Sequence, residues 1–160
     1  MLGDNIVSKN GKYLTFILKD EYYGVNVNYI LQIIAIPDIT NIAKTPDFIK
    51  GVINLRGKII PVVDLRIKFN LEKQEYNDRT SIVILKINQN NSEFFIGIII
   101  DKVLEVLDIQ NDEIEETPQF GIDIDMSYIL SMAKVKDKVV TLLNINKILT
   151  EQEFKSVSKI

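Results

Sequence analysis

The chain of 160 residues contains no His, no Cys and no Trp. Without His there is no imidazole base, no Ser-His-Asp triad, and no side chain that titrates near neutral pH unperturbed. Without Cys there is no disulfide, no thiol nucleophile and no thiolate metal site. Carboxylates alone favour Mg or Ca, which sets zinc, copper and non-haem iron aside. An enzyme of this composition would have to work with Asp, Glu, Lys, Tyr or Ser. Long hydrophobic runs are missing too. The longest, residues 94–100, is far short of a membrane span, and residues 1–12 lack the apolar core of a signal peptide. The chain therefore reads as soluble and cytoplasmic, with no membrane insertion.

What is present is β-branched. There are 28 Ile against 3 Ala; β-branched side chains pack well on pleated surfaces, and an Ala-poor chain is a reluctant helix former. At 46% hydrophobic and 26% charged the chain is globular rather than disordered. A formal net charge of −3 argues against nucleic acid as a partner. The length suits one compact domain, or two small lobes sharing a core.

Residues 12–19 and 22–27 read as a hairpin turning at Asp20-Glu21. Asn28 is placed to cap a short helical turn through Tyr29, Ile30, Leu31 and Gln32. Residues 51–55 and 58–63 read as strands joined by a tight turn at Arg56-Gly57, with Asp64 capping a helical turn over residues 65–69. A polar loop follows at residues 72–78. The pattern then restarts. Gly24 aligns with Gly97, so residues 23–33 fall on 96–106. Further on, residues 56–65 fall on 136–145. Strand, Asx cap and amphipathic turn recur in order, as do strand, turn, strand and Asx cap. The repeat halves are about 13–70 and 80–149. They predict a mainly β fold: two pseudo-repeated five-stranded β-barrels packed around a shared apolar core, with short helices. Residues 144–154 are the one longer helix expected, and 1–11 and 155–160 are expected to be flexible tails.

Three constellations bear on function. The acidic cluster Asp108, Asp112, Glu113, Glu115, Glu116, Asp123 and Asp125 is the only source of carboxylate chemistry or a hard-cation site. It lacks EF-hand spacing, and a solvated loop is its plain alternative. No glycine-rich phosphate loop exists, and no cofactor is implied. The segment 48–69, FIKGVINLRGKIIPVVDLRIKF, is the most distinctive. A tight turn needs Gly57 but does not need Arg56. Either Arg56 merely turns the chain, or it serves an interface, where its planar fork is favoured. Third, the apolar turns Ile30-Leu31-Ile33 and Val103-Leu104-Val106 hold more bulk than one turn can bury. Related by the repeat, they are expected to face each other across a groove suited to a partner helix.

The segment 48–69 resembles the signature of the CheW-like domain family. Supporting strings are residues 21–25 (EYYGV), 42–46 (IAKTP), 62–66 (VVDLR), 76–78 (YND) and 97–101 (GIIID). The likeness covers residues 12–150, read as a single CheW-like domain. It implies two SH3-like barrels and an adaptor rather than a catalyst. The implied partners are the regulatory domain of the histidine kinase CheA and the cytoplasmic tip of methyl-accepting chemoreceptors, whose membrane-bound arrays would recruit the protein. The resemblance places Arg56 on an arginine implicated in receptor and kinase coupling, with Gly51 and Asn54 on the same motif. Ile30, Ile33, Val103 and Val106 fall where the family lines its receptor groove. Gln32 stands where relatives have Glu, and Ile34 where they have Arg, which touches partner specificity. A CheW-like adaptor in surface motility or second-messenger signalling, or more remotely a carboxylate enzyme, are the alternatives.

Overall fold

The structure, a computed structural model, describes residues 9–89, 91–115 and 127–158. Eleven strands are formed there. They are β1 (Gly11–Leu18), β2 (Glu21–Asn26), β3 (Ile30–Ala35), β4 (Ile49–Leu55), β5 (Lys58–Asp64), β6 (Ser81–Gln89), β7 (Ser92–Ile100), β8 (Lys102–Ile109), β9 (Ile114–Glu115), β10 (Ile129–Val135) and β11 (Lys138–Leu143). Two short helices complete the set, α1 (Leu65–Lys68) and α2 (Glu151–Ser158).

The strands form two sheets, ordered β3-β6-β7-β5-β4 and β8-β1-β2-β11-β10-β9. Each closes on itself. Downstream of β3 the chain crosses to the far edge, where Thr40 bridges Val52 of β4. Downstream of β8, β9 likewise pairs with β10 at the opposite edge. These are the first and second barrels. The second counts six strands because a 3-10 turn at Asn111–Glu113 splits its bent edge into β8 and β9.

The barrels exchange hairpins. β1 and β2, early in the chain, belong to the barrel of β8–β11, while β6 and β7 join β3–β5. Two parallel seams result, with Gly24 opposite Leu142 and Gly97 opposite Val62. Both glycines sit where a side chain would be crowded, Gly97 the more so. A Cβ on Gly97 would lie 2.7 Å from Ile82 Cγ2, and one on Gly24 3.2 Å from Leu142 Cδ2.

The isoleucine excess fills three apolar layers. Ile53, Ile60, Val62, Ile82, Ile84 and Ile99 fill the first barrel. Tyr13, Ile109, Ala133, Val140 and Leu142 fill the second. Between them lies a larger shared layer, including Leu14, Phe16 and Leu18 of β1, Val83, Leu85 and Ile87 of β6, and Ile96, Ile98 and Ile100 of β7. Strands β6 and β7 are thus buried on both faces, which is why residues 94–100 read as a continuous apolar run instead of alternating. Each fully buried Ile contributes about 1.5–3 kcal/mol relative to exposure. Three aromatic contacts cross the shared layer, Phe16 on Tyr23, Tyr23 against Phe69, and Phe69 stacked on Tyr128 at 4.4 Å.

Local details depart from the sequence reading. The first hairpin turns at Lys19-Asp20, both at positive φ, one residue earlier than expected. Asn26, not Asn28, caps the turn at Val27–Tyr29, its Oδ1 accepting from the Asn28 N–H at 2.9 Å. Residues 144–154 do not form one helix. A 3-10 turn at Ile145–Lys147 buries Ile145, and a capping box between Thr150 and Glu153 starts α2 afresh. Gly11 belongs to β1 and α2 reaches Ser158, so these parts of the expected tails lie in regular structure. Residues 1–8 and 159–160 lie outside the described residues.

Candidate partner-binding surfaces

Arg56 stands at the tip of the β4–β5 hairpin. Arg56 and Gly57 have φ of 54° and 85°, the left-handed pair a two-residue turn requires. The Asn54 Oδ1 accepts from the Gly57 N–H at 2.9 Å and pins that turn. Arg56 itself is exposed, and among the described residues it makes no ion pair or side-chain hydrogen bond. Turn geometry therefore accounts for Asn54 and Gly57 but leaves the guanidinium unused. Gly51 is different. It is buried with φ +143°, and a Cβ there would lie 2.0 Å from the Thr40 carbonyl oxygen. Its place is beneath the strap that closes the first barrel, where it shapes the hairpin rather than meeting solvent.

The segments expected as apolar helical turns are strands. Residues Ile30–Ala35 form β3 and Lys102–Ile109 form β8, because β-branched residues in an alternating pattern favour a pleat over a helical turn. Burial along β3 alternates, with Ile30, Gln32 and Ile34 half-buried and Leu31, Ile33 and Ala35 exposed. Each strand carries a bulge beside its neighbour, β3 between Ile30 and Gln32, and β8 opposite Leu14 and Phe16. The second bulge is held by Thr15, whose Oγ1 donates to the Glu105 carbonyl at 2.6 Å and accepts from its N–H at 3.2 Å. The predicted quartet consequently splits. Ile30 and its counterpart Val103 are half-buried against the shared layer. Ile33 and its counterpart Val106 are 42% and 52% exposed.

Exposed apolar groups follow the repeat elsewhere. Ile59 on β5 and its counterpart Val139 on β11 are 56% and 54% exposed. Beside them Lys58 lies over the Phe95 ring at 4.7 Å and Lys138 over the Tyr22 ring at 4.8 Å, again counterparts. At the mouth of the second barrel a cleft of about 80 Å³ is lined by Tyr22, Leu104, Leu107 and Val135 with Glu105, Lys136 and Lys138. Each barrel thus presents an equivalent apolar and basic patch.

Sequence reasoning did not find the polar hub at the base of α1. Asp64 is buried and accepts from the backbone N–H groups of Arg66 and Ile67 and from the Tyr76 hydroxyl at 2.9 Å. Burial first, then the Asp64 carboxylate, holds the Tyr76 phenol above its ordinary range. Arg66 donates from Nε to Asp101 Oδ1 at 2.7 Å and from Nη2 to Oδ2, a bidentate pair. The hydrogen bonds it donates to Asp101 are the main cause that raises the Arg66 pKa further. The strings VVDLR and YND carried the hint; their meeting with Asp101 did not show in the linear order. Among the described residues the acidic cluster does not assemble: Asp108, Asp112 and Glu115 are exposed, and the Glu113 carboxylate accepts from the Gln110 N–H at the start of its own 3-10 turn; Glu116, Asp123 and Asp125 lie outside the described residues. No group able to hold a metal ion is found among the described residues, nor any helix long and apolar enough to cross a membrane.

Comparisons with known proteins agree along almost the whole chain. Residues 12–153 match the CheW-like domain family. The chemotaxis protein CheW of Klebsiella aerogenes is 33% identical over 149 residues, covering 93% of this chain and 87% of that protein. That of Helicobacter pylori is 30% identical over 138 residues, covering 86% and 81%. The crystal structure of the scaffolding protein TtCheW from Thermoanaerobacter tengcongensis superposes with a TM-score of 0.77 at 32% identity, covering 92% of both chains. Paired barrels around a shared layer, the VINLRGK hairpin with its unused arginine, and these matches lead to one conclusion: the chain belongs to the CheW-like domain family.

Proposed function

We propose that this protein is a non-catalytic chemotaxis adaptor that couples chemoreceptors to a CheA-type histidine kinase and places kinase activity under receptor control. The single observation that supports this most is the near full-length likeness to chemotaxis proteins and to a scaffolding protein, on both chains' lengths. The fold unit is residues 12–150. The kinase partner is its regulatory domain, and the receptor partner its cytoplasmic helical tip. Work is done by surfaces alone. Arg56, with its turn fixed by Asn54 and Gly57, offers a preorganised cation to an acidic partner group. Ile33 and Val106, on the edge strands of two different sheets, offer apolar contact to a receptor helix, flanked by Ile30, Gln32 and Val103. Gln32 and Ile34 replace a charged pair with a neutral amide and an apolar group, which tunes which receptor binds. A receptor conformational difference reaches the kinase as a difference in contact free energy.

Reconstitution tests this reading. Kinase, a membrane-anchored receptor fragment and this protein are combined, and phosphorylation of the kinase is followed with and without it. Receptor-dependent stimulation only in its presence is the expected result; equal phosphorylation without it overturns the reading.

A further inference from the structure

We propose that Arg66 and Asp101 form a latch between the barrels that carries coupling from one partner face to the other. This inference rests on the adaptor reading above and names the residues that make its two faces interdependent.

Asp101 is the single residue between β7, in the first barrel, and β8, in the second. The chain therefore crosses from barrel to barrel at this point with no loop to absorb movement. Its groups reach in several directions. The Asp101 N–H donates to the Ile17 carbonyl of β1 at 3.1 Å, and its Oδ2 accepts from the Lys19 N–H of the β1–β2 turn at 2.9 Å, both in the second barrel. The same carboxylate accepts both arms of Arg66, which sits on α1. Helix α1 continues directly from β5, and β5 begins just after the Arg56-Gly57 turn. Arg66 is held from behind as well, its Nη1 donating to the Glu72 carbonyl at 2.9 Å. The guanidinium and carboxylate are only 12% and 22% exposed, so solvent screens the pair far less than a surface ion pair.

Geometry thus joins two lines of covalent structure through one charged pair. One runs from Arg56 along β5 to Arg66. The other runs from Asp101 along β8 to Val103 and Val106. The second crossover, from β2 to β3, has no such pair: the repeat places Asn28 where Asp101 stands and Asn146 where Arg66 stands, both neutral. One crossover is ionically fixed and the other is not. A rotation of one barrel against the other would pivot at the Arg66–Asp101 pair, so a partner pulling on β8 is felt at the β4–β5 hairpin.

The test measures the affinity of a receptor-tip fragment with and without saturating kinase regulatory domain, and calls the ratio the coupling. Wild type is expected to show coupling of about fivefold or more, the ordinary lower range for linked sites. Asp101→Asn keeps an acceptor for Lys19 but removes the charge facing Arg66; Arg66→Lys keeps the charge but loses the fork. Both should leave each separate affinity within about threefold and bring the coupling to within twofold of unity. The double variant should do no more than either single one, because the two act through each other. Thermal melting identifies a variant that fails to fold, and the other then decides. Coupling unchanged in a folded variant overturns the latch. Wild type that binds neither partner overturns the adaptor reading itself, and wild type that binds both independently overturns the latch alone.

Discussion

Ile53, Ile60, Val62, Ile82, Ile84 and Ile99 fill the first barrel, whereas the second encloses Tyr13, Ile109, Ala133, Val140 and Leu142 and leaves a cleft of about 80 Å³ at its mouth. Their hairpin tips differ in the same sense. The first turns on Arg56-Gly57, and the second on Lys136-Asp137, two side-chain-bearing residues at φ 49° and 68°. Ion pairing is asymmetric too, with the Arg66–Asp101 pair at one crossover and Asn28 with Asn146 at the other. One strand plan has therefore been used twice with different tips and different crossovers. The first copy carries the motif arginine on its turn, and the second carries a cleft at its mouth.

Several substitutions test that contrast. The largest effect is expected where both barrels lean on the same layer. Phe16→Ala removes a fully buried ring from the shared layer and should cost about 3–5 kcal/mol. Urea unfolding should still show one transition; two separated transitions would mean that the barrels are stable apart. Next come the counterpart glycines. Gly97→Ala meets Ile82 at 2.7 Å and should cost about 1–3 kcal/mol, while Gly24→Ala meets the side-chain ends of Leu142 at 3.2 Å and Val140 at 3.3 Å and should cost less than about 1. Equal costs would show that the two seams are equally tight. The turns give a smaller effect of opposite sign. Gly57→Ala, at φ +85°, should destabilise by about 1 kcal/mol, whereas Asp137→Gly should stabilise by a few tenths to about 1. Thermal melting of the two variants side by side reads the difference.

The alkaline limb of stability adds a fourth expectation. Tyr76 ionises above its ordinary value of 10.0 in the folded chain, mainly through burial and then through Asp64. A phenol raised on folding contributes stability that is whole below pH 10 and falls as pH rises beyond it, because the unfolded chain then releases the proton first. Tyr76→Phe should flatten that decline in denaturation measured from pH 9 to 11. An unchanged slope would assign the decline to other groups, Tyr23 being the first to consider.

Much of this was legible in the linear order. The hairpin at Arg56-Gly57, the Asp64 cap and the shared layer follow from turn chemistry, a short polar cap and an Ile content that two small barrels cannot absorb alone. Residues 30–33 and 103–106 misled because apolar groups three apart fit a helical turn and a bulged strand equally well; β-branching decided for the strand. The hairpin exchange was hidden for a different reason. A repeat shows which segments are equivalent, not which of them pair. Arg66 and Asp101 are 35 residues apart and meet only because β7 turns into β8 at the exchange. Of the candidate site residues, Arg56 is singled out by its redundancy to the turn, while the division of Ile30 and Val103 from Ile33 and Val106 needed the pleat.

That division makes Val106 the sharpest probe of the claim that two partners use separate surfaces. Val103→Asp would place a charge against the shared layer and confuse folding with binding. Val106 is 52% exposed, so Val106→Asp should change stability by no more than about 0.5 kcal/mol. The decisive measurement titrates this variant separately with a receptor-tip fragment and with the kinase regulatory domain. The account predicts receptor affinity reduced about tenfold or more and kinase affinity within twofold of wild type. Equal losses for both partners in a protein of unchanged melting temperature, or no loss for the receptor fragment, would contradict it.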